Sequence, residues 1–237
     1  MEQEVISKAD ISDVLIERPI SFSIKGRRYA IYHPSLGKLM LMSRLLEAMG
    51  YENLKPTDDI YYFSYEVAQK KRDESIRLIA YASLKLDYCT EEGKVAQRIK
   101  EFKDLETEDI ATILIMIFRL DHTDDIMKHF GMDKEAKRME KVMKVKDESS
   151  KNTLSFGGKS LWGSLIDTAC ERYGWTYQYV LWGVSYANLR LLLADQVRSV
   201  LLTDEERKRV HIPSDGTAIK ADNSASFASF INKQNWR

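Results

Sequence analysis

The chain has little cysteine and no excess of either charge. Its two cysteines, Cys89 and Cys170, lie far apart in the sequence and do not have the spacing of metal ligands. We therefore expect reduced thiols in a cytosolic protein rather than a disulfide framework. Lysine plus arginine and aspartate plus glutamate each number 36, so the formal net charge is zero. Because a dedicated nucleic-acid-binding protein usually has a basic excess, this balance argues against that class.

A hydrophobic run typical of export or membrane insertion is also lacking. Residues 1–17 are polar and acidic, with no apolar signal core, and we expect them to form a loose arm. Residues 175–194 have the length of a membrane span, but they include Gln178, Asn188 and Arg190, which are costly to place in hydrocarbon. We expect no membrane association and a cytoplasmic location.

No motif supports catalysis or cofactor binding. Residues 157–160, GGKS, end like a phosphate-binding loop, but Thr153 stands where that loop requires its first glycine. His122 and His129 lie two helical turns apart beside several aspartates, which is a weak indication of a metal site. The sequence therefore predicts a protein that is not an enzyme and that has no cofactor and no metal.

Hydrophobic periodicity, in contrast, is clear along most of the chain. Residues 20–24 and 29–31 alternate between apolar and polar around Lys25-Gly26, which predicts a β-hairpin. A helix is then expected from Ser35 to Gly50, and another from Thr57 or Asp58 to about Leu86. The same spacing predicts further helices over 91–102, 107–120 and 133–146.

Composition then suggests where the domains end. Residues 147–160, DESSKNTLSFGGKS, have no periodicity and are typical of a linker. It would join an N-terminal domain, residues 18–146, to a C-terminal helical hairpin, residues 161–210. Residues 211–237 are expected to be a flexible tail whose last residues are a candidate docking peptide. The predicted fold class is mainly α: a helical bundle with a small N-terminal β-hairpin and the C-terminal helical hairpin.

The second helix of that hairpin, predicted over 175–194, is apolar on nearly every face. Its large side chains recur at steps of four and three: Trp175, Tyr179, Trp182, Tyr186, Leu189 and Leu193. Such a helix must be covered by its own domain or by a partner. Gly174 is expected to close the preceding helix, and Thr176 is the expected N-cap.

Two stretches resemble the tail assembly chaperones of long-tailed bacteriophages and prophages. One is residues 17–50, a short hairpin that leads through HPSLGK into a helix. The other is residues 171–195, ERYGWTYQYVLWGVSYANLRLLLAD, which is similar to the C-terminal YGW, VLW and SYANL segments of such proteins from Bacteroides-like bacteria. Together they cover about a quarter of the chain.

The resemblance implies a non-enzymatic protein in the bacterial host cytoplasm. Chaperones of this family bind the tape measure protein and keep it soluble until the tail tube polymerises around it. Further expected contacts are the tail tube protein or self-association. The balanced charge and the polar residues within 175–194 predict no nucleic-acid binding and no membrane association. The surface expected to bind the partner comprises Trp175, Tyr179, Trp182, Tyr186, Leu189, Met40 and Met42.

Two other functions remain open at this point. In one, the same aromatic helix makes a permanent oligomer interface in a structural virion or scaffold protein. In the other, residues 170–190 form a helix-turn-helix that binds DNA. The second helix of that motif normally places arginine, lysine, asparagine or glutamine at its start, whereas Trp175, Tyr177 and Tyr179 occupy much of that region here.

Overall fold

The protein is mainly α-helical, as the sequence predicts. The computed structural model describes residues 8–55, 58–120, 123–149, 160–195 and 200–211. Within these residues there are eleven α-helices and one two-stranded antiparallel sheet. Their bounds are α1 (Lys8–Leu15), β1 (Ile20–Ile24), β2 (Arg27–Ile31), α2 (Leu36–Met49), α3 (Ile60–Lys70), α4 (Arg72–Ser83), α5 (Glu92–Phe102), α6 (Thr107–Phe118), α7 (Thr123–His129), α8 (Met132–Ser149), α9 (Leu161–Tyr173), α10 (Tyr186–Ala194) and α11 (Asp204–Val210). None of these helices is both long and apolar enough to cross a lipid bilayer.

The predicted N-terminal hairpin is confirmed. Lys25 and Gly26 both have positive φ, 47° and 77°, which is the backbone of a two-residue turn that matches the twist of the strands. Phe22 pairs with Tyr29 across the strands, and their ring centroids lie 5.6 Å apart. Both rings pack against the buried Phe102 of α5, so one face of the hairpin covers the core.

Helix α2 has the two ends that the sequence predicts. The Ser35 side chain accepts a hydrogen bond from the Lys38 backbone N–H, and Gly50 adopts the left-handed conformation with φ 78°. Serine at the N-cap and glycine after the last turn satisfy backbone groups that the helix leaves unpaired. Because both ends of α2 are fixed, the residues of the helix that face its neighbours are fixed as well.

The main core lies among α2, α3, α4, α5 and α6. Ile110 and Leu114 of α6 are fully buried there, as are Leu78 and Ile79 of α4. The single helix predicted from Thr57 or Asp58 to about Leu86 is wrong: α3 ends at Lys70, and α4 begins at Arg72. Lys71 between them leaves the helical conformation with φ −128° and ψ 48°. The N-cap of α3 is Asp59, whereas Thr57 lies outside the described residues.

The chain divides differently from the predicted domains. One compact unit comprises Met1–Ala136 with Ser155–Val197, and the other comprises Lys137–Leu154 with Arg198–Arg237. The α9 and α10 part of the predicted C-terminal hairpin belongs with the N-terminal helices, because Leu36 of α2 shares a buried cluster with Ile166, Val180 and Leu189. Residues 198–210 of that hairpin belong to the second unit. The linker prediction also differs at its start, since α8 continues to Ser149. Most of the predicted linker, residues 150–159, and the predicted tail from residue 212 lie outside the described residues.

The predicted loose arm differs from the structure over Lys8–Leu15, which forms α1. Ile11 and Val14 are buried against Ile126 of α7 and Leu191 of α10. The acidic composition of the arm concealed these two apolar residues, which are three positions apart and therefore share one helical face.

The second unit contains the rest of α8 and α11. Thr203 and Glu206 form the cap of α11, in which each side chain accepts a hydrogen bond from the backbone N–H of the other residue. The Lys146 ammonium of α8 lies 3.0 Å from the Glu206 carboxylate. The Thr203 backbone N–H, followed by the Lys146 ammonium, lowers the pKa of Glu206 below its ordinary value.

Candidate functional site

The aromatic segment is not the single helix that the sequence predicts. Gly174 closes α9 with φ 63°, and the Thr176 hydroxyl accepts a hydrogen bond from the Tyr179 N–H, so both predicted boundary roles are confirmed. The chain then makes a π-helical turn, Tyr179–Gly183, and becomes extended at Val184 before α10 begins.

The break at Val184 is explained by three interactions around Ser185. The Ser185 side chain caps α10 by accepting from the Asn188 N–H. Its own backbone N–H donates to the Glu17 carboxylate at 2.8 Å. Ser185 also forms an isolated antiparallel bridge with Ser35, and the Tyr186 N–H donates to the Pro34 carbonyl. The bonds to Glu17, Ser35 and Pro34 come from distant parts of the chain, so helical periodicity could not reveal them.

Three of the predicted partner-binding residues are held in the protein's own packing. Leu189 is fully buried, and Met42 is buried in the main core. The Trp182 indole lies against α2, where a Cβ on Gly37 would come within 2.8 Å of its ring carbons. They are therefore not available as an open surface for a partner.

Met40 and Tyr186 are intermediate cases. Met40 is half-buried against the cluster around Leu36. Tyr186 packs against the same cluster, its ring centroid lies 6.2 Å from that of Trp162, and the Arg190 guanidinium sits over its ring. Both residues contribute mainly to internal contacts.

Trp175 and Tyr179, the other two predicted residues, line an open apolar groove. Their rings meet edge to face, with centroids 5.0 Å apart. The Tyr179 ring also covers Gly183, where an added Cβ would lie 2.2 Å from a ring carbon. Only glycine permits this approach, so Gly183 sets the position of one groove wall.

The groove also includes elements outside the predicted aromatic helix. Its volume is about 760 Å³, and it lies between the end of α1, the corner between α7 and α8, the π-helical turn and α10. Val184 and Leu191 are buried at its base. Its most exposed large apolar side chains are Leu15 (47%), Phe130 (54%), Tyr179 (45%) and Leu192 (43%). Tyr179 is predicted from its spacing, whereas Leu15, Phe130 and Leu192 are not, and the prediction of a loose arm over residues 1–17 leaves Leu15 out.

The polar part of the groove is centred on Asn188. Its Nδ2 donates to the Leu15 carbonyl at 3.0 Å and to the Glu17 carboxylate at 2.9 Å, so it ties α10 to the end of α1. Its Oδ1 is buried and has no hydrogen-bond partner among the described residues. Asp195, directly after α10, adds a second carboxylate to the lining.

Lys38 is the most unusual titratable residue elsewhere in this unit. It is almost completely buried, and its ammonium donates to the carbonyls of Leu84 at 2.6 Å and Ala82 at 3.3 Å. Burial lowers the pKa of Lys38 to about 8, although the nearby Cys89 acts in the opposite direction. Since both acceptors are backbone carbonyls at the end of α4, Lys38 joins α2 to α4 and has a structural role.

Groups suited to metal binding are not found within the described residues, where no three His, Cys, Asp or Glu side chains cluster suitably. His122 lies outside those residues. Comparison of the chain with protein-family models, with curated proteins and with solved structures finds no match.

Proposed function

We propose that the protein is a non-enzymatic tail assembly chaperone of a bacteriophage or prophage. In this proposal it binds an apolar helical segment of the tape measure protein and keeps that protein soluble until the tail tube polymerises. The observation that carries the proposal is the open apolar groove, whose walls expose Leu15, Phe130, Tyr179 and Leu192.

The chemistry of the groove suits a helix. An amphipathic helix presents apolar side chains at steps of three and four residues, and partner proteins bind such stripes in apolar grooves. Exposed apolar surface of this kind on a folded protein commonly marks an interaction site. Met132 in the lining adds a flexible side chain that can adapt to different sequences.

The proposed surface differs from the one that the sequence suggested. Trp175 and Tyr179 remain, whereas Met42, Trp182 and Leu189 are assigned to the protein's own packing. Leu15, Phe130 and Leu192 take their place. A scaffold protein would use the same groove to bind a second copy, so self-association is an alternative result of the experiment below.

The experiment is co-expression with the tape measure protein encoded in the same genome. We expect the wild-type chain to keep that protein in the soluble fraction and to co-purify with it. Tyr179→Ala and Leu192→Ala should each weaken co-purification, because both side chains are exposed in the groove. The matched controls are Tyr62→Ala and Leu161→Ala, which remove the same side-chain types from exposed positions outside the groove.

Thermal melting of each purified variant separates binding from folding. Truncating a buried aromatic residue costs about 3–5 kcal/mol, whereas a side chain left half exposed should cost less. The Trp182 indole is partly buried and packs against α2, whereas Tyr179 is 45% exposed, so Trp182→Ala is expected to lower the melting temperature more than Tyr179→Ala does. If the groove variants retain full co-purification, or if the wild-type chain binds only itself, the proposal is wrong.

A further inference from the structure

The groove is acidic as well as apolar. The titratable side chains that line it are Glu17 and Asp195, and the lining within the described residues includes no lysine, arginine or histidine. Arg18 pairs with Asp13 and Arg190 pairs with Asp124, each at 3.0 Å, whereas Lys38 and Lys85 line a separate cavity on the other side of Glu17. The negative charge of the groove is thus not balanced within its lining.

Two helix ends add to this negative character. Leu15 is the last residue of α1, and Asp195 directly follows α10, so the carboxyl ends of both helices meet the groove. The carboxyl end of a helix carries a partial negative charge. A carboxylate at that position is electrostatically unfavourable for the helix itself, so the stability of α10 does not explain Asp195.

Asn188 provides a third observation, independent of charge. Both hydrogen-bond donations of its Nδ2 are made within the protein, but its buried Oδ1 lacks a donor. A buried carbonyl oxygen without a donor is uncommon in native proteins. An occupant of the groove that brings an N–H group would satisfy this oxygen.

We infer that the helical segment bound in the groove carries a lysine or arginine beside its apolar stripe. The apolar side chains would pack against Tyr179 and Leu192, and the cation would lie at the Asp195 end. Asn188 lies about two helical turns before Asp195, so a different N–H donor of the bound segment would serve Asn188 Oδ1. This inference rests on the proposed function and specifies the chemistry of the bound segment.

The test uses overlapping 20-residue peptides that cover the same tape measure protein. The full chain is labelled, and its binding to each peptide is measured on an array. The strongest binder is then synthesised in two forms, one natural and one with every lysine and arginine replaced by glutamine. Affinities of both forms are measured by fluorescence anisotropy for the wild type, Asp195→Asn, Asp195→Lys and the control Asp167→Asn. Asp167 is an exposed carboxylate on α9, outside the groove lining.

We expect the natural peptide to bind the wild type more tightly than its glutamine form does. Asp195→Asn should weaken natural-peptide binding about fivefold, the upper value for a partly exposed charge pair. Asp195→Lys should weaken it further, whereas Asp167→Asn should leave it unchanged. The affinity differences among the variants should be absent with the glutamine form. With the natural peptide, these differences should diminish as the salt concentration is raised.

The possible failures are distinguishable. If both peptide forms bind equally to every variant, the charge inference is wrong and the proposed function stands. If no peptide binds and the tape measure protein does not co-purify, both are wrong. If sedimentation shows that Leu192→Glu dissociates a self-dimer of the full chain, the occupant is a second copy, which also overturns the inference.

Discussion

Gly37 offers the sharpest test of how the aromatic segment packs. It is the second residue of α2, and a Cβ added there would lie 2.8 Å from two ring carbons of Trp182. Non-bonded carbon atoms normally approach to about 3.5–4.0 Å, so in Gly37→Ala the indole or the helix must move. Inserting such a group into a packed region typically costs about 1–3 kcal/mol.

Gly93 provides a matched control because it is the second residue of α5. An added Cβ there would meet no heavy atom within 4 Å. Replacing glycine with alanine inside a helix stabilises it by up to about 1 kcal/mol. Gly93→Ala should therefore raise stability slightly, while Gly37→Ala has the same gain offset by the clash with Trp182. The two variants should differ by about 1–3 kcal/mol in the free energy of unfolding.

Thermal denaturation can resolve this difference. For a chain of this size, 1 kcal/mol corresponds to about 2–4 °C, so Gly37→Ala should melt about 2–12 °C below Gly93→Ala. A double-mutant cycle with Trp182→Ala should give a coupling of about 0.5–3 kcal/mol, because removing the indole makes room for the methyl group. If Gly37→Ala melts at or above the temperature of Gly93→Ala, the indole does not pack against α2 as described.

Three further predictions concern other parts of the molecule. The pKa of Lys38 is lowered from 10.5 to about 8 in the folded state, so the unfolded chain binds more protons between these pH values. In denaturant titrations, the stability of the wild type relative to Lys38→Met should therefore rise by roughly 3 kcal/mol from pH 8 to 10.5. A difference that does not change with pH would contradict the assignment. Glu17→Ala removes the acceptor for the Ser185 and Asn188 donors and should cost about 1–3 kcal/mol in urea unfolding, whereas Glu52→Ala, at an exposed turn, should cost far less. Thr203→Ala removes the cap of α11 and should cost about 1 kcal/mol, observed as faster amide exchange confined to the second unit; faster exchange in α10 as well would refute that view.

Features governed by local chemistry could be predicted from the sequence. The Lys25-Gly26 turn and the Ser35 and Gly50 ends of α2 each depend on a few neighbouring residues, and all three are confirmed. In each case a side chain or a left-handed backbone satisfies groups that lie within four positions.

The interruptions and the groove depend on contacts between distant residues. The interruption at Val184 coincides with bonds from Ser185 to Glu17 and Ser35, which lie about 150 positions or more away. For the same reason, the predicted partner surface includes Leu189 and Met42, although both side chains are buried in the protein's own packing. Periodicity identifies an apolar face but does not show which element covers it.

The bridge between Ser35 and Ser185 also has a consequence for synthesis in the cell. Helix α2 leaves the ribosome about 150 residues before the segment that covers Leu36. At typical translation rates of about 5–20 residues per second, this apolar face of α2 remains exposed for roughly 8–30 s before the residues that bury it are synthesised. In a chain truncated before α9, Leu36 and Gly37 would lack the residues that normally bury them. Completion of the first unit is therefore tied to translation through residue 194, and a shortened chain would itself be prone to aggregate.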